Sequence, residues 1–194
     1  MSVALEEWRG ASAGTLDDLE ALHRLADGAW QRGSALTEQI TYVYAALMLA
    51  HFQRYCRGAH TEATKALVDA MPHSRSAVVL EDLLTEGRHL DRGNPTPANL
   101  GRDFGRFGFN FWEAVVAEDR GNGVRRRELD RLCDWRNGIV HGDVPGKRAS
   151  GNLVPRDLSL DACRRWRRAV SALVISIDRA VAKQCQNLGC PRPW

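Results

Sequence analysis

The sequence predicts an all-α fold, a single-domain helical bundle of about five or six helices. Three observations carry that prediction. Apolar residues recur at the 3.6-residue helical period through several long windows. No alternating apolar and polar segment is long enough for a useful strand, and there is no internal repeat or low-complexity tract. Finally, 194 residues with 44% apolar and 26% charged side chains suit one domain with a substantial core, and hardly two.

The elements follow in order. Thr15 with Asp18 forms an N-cap pair for a helix over about 16–31, with Leu16, Leu19, Leu22, Ala26 and either Ala29 or Trp30 turned inward. Thr37 opens a long helix with Ile40, Val43 or Tyr44, Leu47, Met48 and Tyr55 on its inner side. It runs past Gly58 to about Ala70, where Pro72 ends it. A shorter helix fits 76–89, and GNPTPANLG (93–101) is an interior loop too short to link domains. The Phe-rich, glycine-interrupted stretch 99–119 reads as a broken helix restarting at Asn110, with Glu113 at the capping-box position. GNG (121–123) is a turn before a helix over about 124–141. The loop 142–158 holds Gly142, Pro145, Gly146, Gly151 and Pro155. Ser159 then caps a closing helix, 160–185, with the stripe Trp166, Val170, Leu173, Ile177 and Val181. The domain therefore spans 1–185, and 186–194 reads as a loose tail.

Composition narrows the function classes. The longest largely apolar stretches, Val43 to Ala50 and the serine-interrupted Ala169 to Ile177, are far short of the ~20 residues that span a bilayer, so no membrane association is expected. Glu6, Glu7 and Arg9 stand where a signal peptide would begin its apolar segment. Five cysteines without CxxC pairs fit free thiols in a reducing compartment, and a cytoplasmic protein is the expectation. The net charge of +3 conceals an asymmetry. Residues 120–170 hold thirteen Arg or Lys against six Asp or Glu, a local balance of +7, which leaves −4 for the remainder. Such a block is either a footprint for a polyanion or a bias of arginine-rich composition.

The stretch LCDWRNGIVHGD (132–143) is the most informative. On the helical period, Leu129, Leu132, Cys133, Arg136, Ile139 and Val140 share one face, so a permanent charge interrupts an apolar stripe. Asn137 follows, and His141 stands at the helix end beside Gly142. A guanidinium can hold a phosphate and stabilise its transition-state charge, while an imidazole moves protons. Five residues turn a helix by about 500°, so the two side chains leave the backbone about 140° apart. The structural reading of the same residues pairs Arg136 with Asp134, Asp130 or an acid of a neighbouring helix and makes His141 a surface cap.

WRNGIVHG, preceded by a leucine-bearing helix and followed by a loop and a long closing helix, resembles the motif region of the HEPN superfamily. That signature is Arg, a polar residue, three further residues and His, matched by Arg136, Asn137 and His141. Residues 47–63, LMLAHFQRYCRGAHTEA, are less specifically similar to the second-helix region of the RiboL-PSP-type branch. The likeness covers about 15–185, with only the motif sharp. It implies a helical domain that forms a homodimer and joins two motifs in one cleft. Active members are metal-independent endoribonucleases in which the ribose 2′-hydroxyl attacks the adjacent phosphodiester. His141 would act as general acid/base, Arg136 would stabilise the developing charge, and Asn137 would orient the site. The implied substrate is RNA, with no cofactor or metal, in a defence, stress or toxin–antitoxin setting. The alternative is a non-catalytic HEPN module that binds nucleic acid, a nucleotide or a partner such as a nucleotidyltransferase antitoxin.

Two basic clusters are candidate RNA contacts: Arg125, Arg126 and Arg127 with Arg131, and Arg164, Arg165 and Arg168 of RRWRR (164–168). In an antiparallel pairing of their helices, the second cluster would approach the motif end. His51, Cys56 and His60 fit no zinc spacing and read as packed side chains; Cys185 and Cys190 are not expected to form a disulfide. Phe104, Phe107, Phe109, Phe111 and Trp112 are core candidates first and base-stacking candidates second. There is no Walker loop, dinucleotide fingerprint or nucleophile elbow.

Overall fold

Residues 1–29, 35–71, 75–141, 158–190 and 193–194 are described by the computed structural model, and every regular element among them is helical. Trp30, Pro72 and the loop 142–158, apart from Leu158, lie outside the described residues. The helices are α1 (Val3–Glu7), α2 (Ala13–Ala29), α3 (Ala35–Asp69), α4 (Arg75–Thr85), α5 (His89–Arg92), α6 (Pro97–Gly105), α7 (Phe111–Glu118), α8 (Asn122–Val140) and α9 (Leu160–Asn187). Short segments account for the excess over five or six. The helix expected over 76–89 divides into α4 and α5 around Gly87, whose φ of 67° suits glycine. The broken helix parts at Gly108 (φ 78°) and restarts at Asn110, whose side chain accepts the Glu113 N–H.

The N-terminal boundary differs from expectation. Thr15 caps nothing; its Oγ1 donates to the Ala11 carbonyl inside a continuous helical course. A π-helical turn, Trp8–Ser12, joins α1 to α2, and Ser2 is the true N-cap, its hydroxyl accepting the Leu5 N–H at 3.1 Å. Glu62 of α3 accepts the Val3 and Ala4 N–H groups, each at 2.8 Å, and Asp178 of α9 accepts from the Ser2 amide at 3.3 Å. Carboxylates distant in sequence thus satisfy the donors a local cap would serve.

Helices α3 and α9 form the centre and run parallel. Near their starts Cys163 Sγ donates to the Thr41 carbonyl at 3.8 Å, and further along Tyr55 Oη donates to the Val174 carbonyl at 2.8 Å. Helices α1 and α2 cover one side of this pair, and α8 packs against both members. The expected α9 stripe is buried throughout, as are Ile40, Met48 and Tyr55 of α3. Tyr44 rather than Val43 turns inward, whereas Leu47 and Leu22 are exposed. The segment 186–194 is not loose where it is described. Gly189 (φ 96°) turns the chain back, Cys190 is 2% exposed with its thiol on the Ala66 carbonyl, and Trp194 packs on the core. No helix among the described residues is long and apolar enough to cross a membrane.

One close approach is testable. A Cβ added at Gly58 would stand 2.9 Å from the Ala4 Cβ, where α1 crosses α3. Alanine is the better helix former by about 1 kcal/mol, yet Gly58→Ala is expected to destabilise the fold by about 1–3 kcal/mol through that overlap. A urea midpoint equal to or above wild type would contradict the contact.

Candidate functional site

The α8 stripe runs out of the core toward its C-terminal end. Leu129, Leu132 and Cys133 are buried, Arg136 is half-buried, Ile139 is partly covered and Val140 is exposed. Trp135 and Gly138 are buried too and widen the stripe. Among the described residues no carboxylate lies within ion-pair distance of Arg136. Asp130 and Asp134, the nearest acids in sequence, are exposed and leave the helix about 120° and 160° away from it. Its charge still registers nearby. Burial, then Asp130 and Asp134, pushes the Cys133 thiol up to about 12, and Arg136 acts against that rise.

His141 is the exposed C-cap of α8. Its amide donates to the Asn137 carbonyl at 3.0 Å, so the helical path continues to the histidine and the divergence of about 140° from Arg136 persists within one chain. Asn137 and His141, four residues apart, share a face. Asn137 is clamped: its Oδ1 accepts from Asn94 Nδ2, and the Asn94 carbonyl accepts from Asn99 Nδ2 at 2.8 Å. One turn earlier on α8, the Cys133 thiol donates to the Pro95 carbonyl at 3.8 Å. On the opposite side Gln53 Nε2 donates to the Leu90 and Gly93 carbonyls at 2.7 Å, and Arg57 Nε also reaches Leu90. The loop 93–96 is therefore fastened between α3 and α8, and Asn94 and Asn99 belong to the candidate site. In the sequence this segment shows only as a loop, and its two asparagines among prolines are the one visible signal of the clamp.

The predicted basic residues separate into groups. Arg164 is held by Glu20 at 3.0 Å, within a network that also takes in Tyr44 and Arg167. Burial alone would raise Glu20, but hydrogen bonds from Tyr44, Arg164 and Arg167 bring it below the usual carboxylate value. Arg164, a candidate RNA contact, is thus partly exposed and already holds an ion pair with another helix. Arg125 pairs with Asp119 and Arg131 with Glu128, and such exposed pairs contribute little and exchange readily. Arg127, Arg165 and Arg168 are exposed without an ion pair among the described residues, and Arg126 lies over the Trp112 ring at 4.9 Å. Trp166 Nε1 donates to Glu128 at 3.1 Å, which sets 164–168 beside a residue ~12 Å along the axis before Arg136.

The remaining candidates are packing residues. His60 is fully buried on the Asp103 carbonyl, Cys56 is buried and His51 half-buried. Among the described residues no three His, Cys, Asp or Glu side chains gather as a metal site. Phe104, Phe107 and Phe111 are buried in mutual ring contacts, with Phe109 partly covered at their edge. Cys185 and Cys190 are both buried free thiols. Comparison with models of known families, with curated proteins and with solved structures finds no match for this chain.

Proposed function

We propose that this chain is a metal-independent endoribonuclease of the HEPN type, working as a homodimer whose two α8 ends share one cleft. The observation that carries the reading is Arg136, a half-buried guanidinium on an apolar stripe with no ion pair among the described residues. A guanidinium with no ion pair among the described residues can take a phosphate or a carboxylate of another chain. Its divergence from His141 within one chain favours a site assembled from two copies. The partly covered Ile139 and exposed Val140 offer apolar surface for that contact.

In the proposed reaction the ribose 2′-oxygen bonds to the adjacent phosphorus as the 5′-oxygen leaves, giving a 2′,3′-cyclic phosphate. The His141 of one copy accepts the 2′-hydroxyl proton and returns it to the departing 5′-oxygen. Arg136 neutralises the charge that accumulates on the phosphorane oxygens. Asn137, fixed by Asn94, orients the scissile phosphate.

The test incubates purified protein with labelled RNA in EDTA. The expected result is cleavage to cyclic-phosphate ends that His141→Ala and Arg136→Ala each abolish while helicity is unchanged. Cleavage that survives both substitutions would sink the proposal. So would pure protein that cuts no RNA yet copurifies with a partner, the behaviour of a non-catalytic binding module.

A further inference from the structure

A groove of about 540 Å³ lies between the outward face of α7 and the first turns of α8. Trp112 and Val116 form its less exposed lining, while Glu113, Arg120 and Arg126 are exposed around it. Trp112 is fixed, because its indole N–H donates to the Pro97 carbonyl at 2.7 Å. The Arg126 guanidinium rests over that ring at 4.9 Å. A guanidinium stacked on one aromatic face keeps its opposite face for a second planar group.

The local charge points the same way. The two acids that precede Arg120 are engaged elsewhere, Glu118 by Lys183 and Asp119 by Arg125, each at 2.5 Å. Among the described residues neither Arg120 nor Arg126 has an ion pair. Glu113 leaves the groove with a surplus of one positive charge and supplies one acceptor. A polynucleotide track is disfavoured. Asp130 and Asp134, both exposed, follow Arg126 along the same side of α8 before His141, so a polyanion running between the two ends would pass two carboxylates. The groove is shallow and open, so a ligand lying in it would keep one side in solvent.

We propose that this groove is a separate binding site for a mononucleotide. The base stacks on the open face of Arg126, Arg120 takes the phosphate, and Glu113 accepts from a base amino group or a ribose hydroxyl. The site stands apart from the α8 C-terminus and does not depend on ribonuclease activity there.

Calorimetric titration of the full chain with AMP, adenosine and ribose 5-phosphate tests it. Saturable AMP binding below about 1 mM is expected, with the two fragments each roughly tenfold weaker or worse. Arg126→Ala and Arg120→Ala should each weaken AMP by roughly tenfold or more. Arg126→Lys keeps the charge without the planar stack, so it should retain ribose 5-phosphate affinity and lose most of the preference for AMP. Arg127→Ala, outside the groove, should leave AMP binding unchanged. An absence of saturable AMP binding overturns the proposal. So does AMP binding no tighter than ribose 5-phosphate, or binding indifferent to Arg126→Ala. Loss with Arg136→Ala but not with Arg126→Ala would move the ligand to the α8 C-terminus and likewise overturn it.

Discussion

Chains carrying Arg136→Ala, inactive alone, are expected to regain about a quarter of the wild-type RNA cleavage when co-assembled with equally inactive His141→Ala chains. Each single change should cost on the order of 10²–10⁴ in rate, because in the proposed reaction one removes the charge stabiliser and the other the proton-transfer group. The recovery follows from geometry. Within one chain the two side chains diverge at the end of α8, so the proposed isologous dimer would pair the Arg136 of one copy with the His141 of the other. At equal mixing about half the dimers carry both variants, and each of these retains one intact site of two. Differently tagged chains, co-expressed and purified through both tags, would isolate that mixed species. If the doubly purified species stays inactive, Arg136 and His141 of the same chain serve the same site, and the two-copy arrangement fails.

The second large effect concerns acid stability and the fully buried His60. Its Nε2 is 3.1 Å from the Asp103 carbonyl, and its Nδ1 is 3.5 Å from the Arg88 guanidinium. A carbonyl cannot donate and a guanidinium cannot accept, so Nε2 carries the proton and Nδ1 the lone pair. Burial, aided by Arg88, lowers the imidazole to about 4, against the opposing Asp103 bond. The unfolded chain binds its proton near pH 6.5 and the folded chain near 4. In that window the unfolded state holds more protons, and stability falls as pH falls. The full loss is about 3 kcal/mol, of which about 2 is reached by pH 5. Urea midpoints at pH 7.5 and 5 would measure it. His51, lowered by burial and by Arg54, adds a change of the same sign, so the comparison with His60→Gln isolates His60. That variant should be less stable at pH 7.5 and lose less on acidification. Equal pH slopes in both proteins would refute the assignment.

The sequence made visible what depends on near neighbours. The α9 stripe from Trp166 to Val181, the Asn110 cap and the emerging stripe of α8 all follow from helical period or cap chemistry over a few residues. What stayed hidden depends on groups brought together by folding. The helix start at Ser2 relies on Glu62 and Asp178, and with those carboxylates out of view Thr15 looked like the better cap. Whether RRWRR faces solvent is decided by Glu20 and Asp17 of another helix, which draw in Arg164 and Arg167. The clamp on Asn137 and the rest of Trp112 beneath Arg126 are likewise contacts across the fold.

The fastening of the loop 93–96 has a mechanical consequence for the end of α8. Last helical turns ordinarily fray, because their carbonyls lack partners and their side chains few neighbours. Here the turn from Cys133 to Asn137 is tied through Pro95 and Asn94 to a loop that α3 holds from behind. The helix tip beneath Arg136 is braced before anything docks against it. A ligand or a second copy that meets this tip loses little conformational entropy in ordering it, and preorganised surfaces convert more of their contact into affinity.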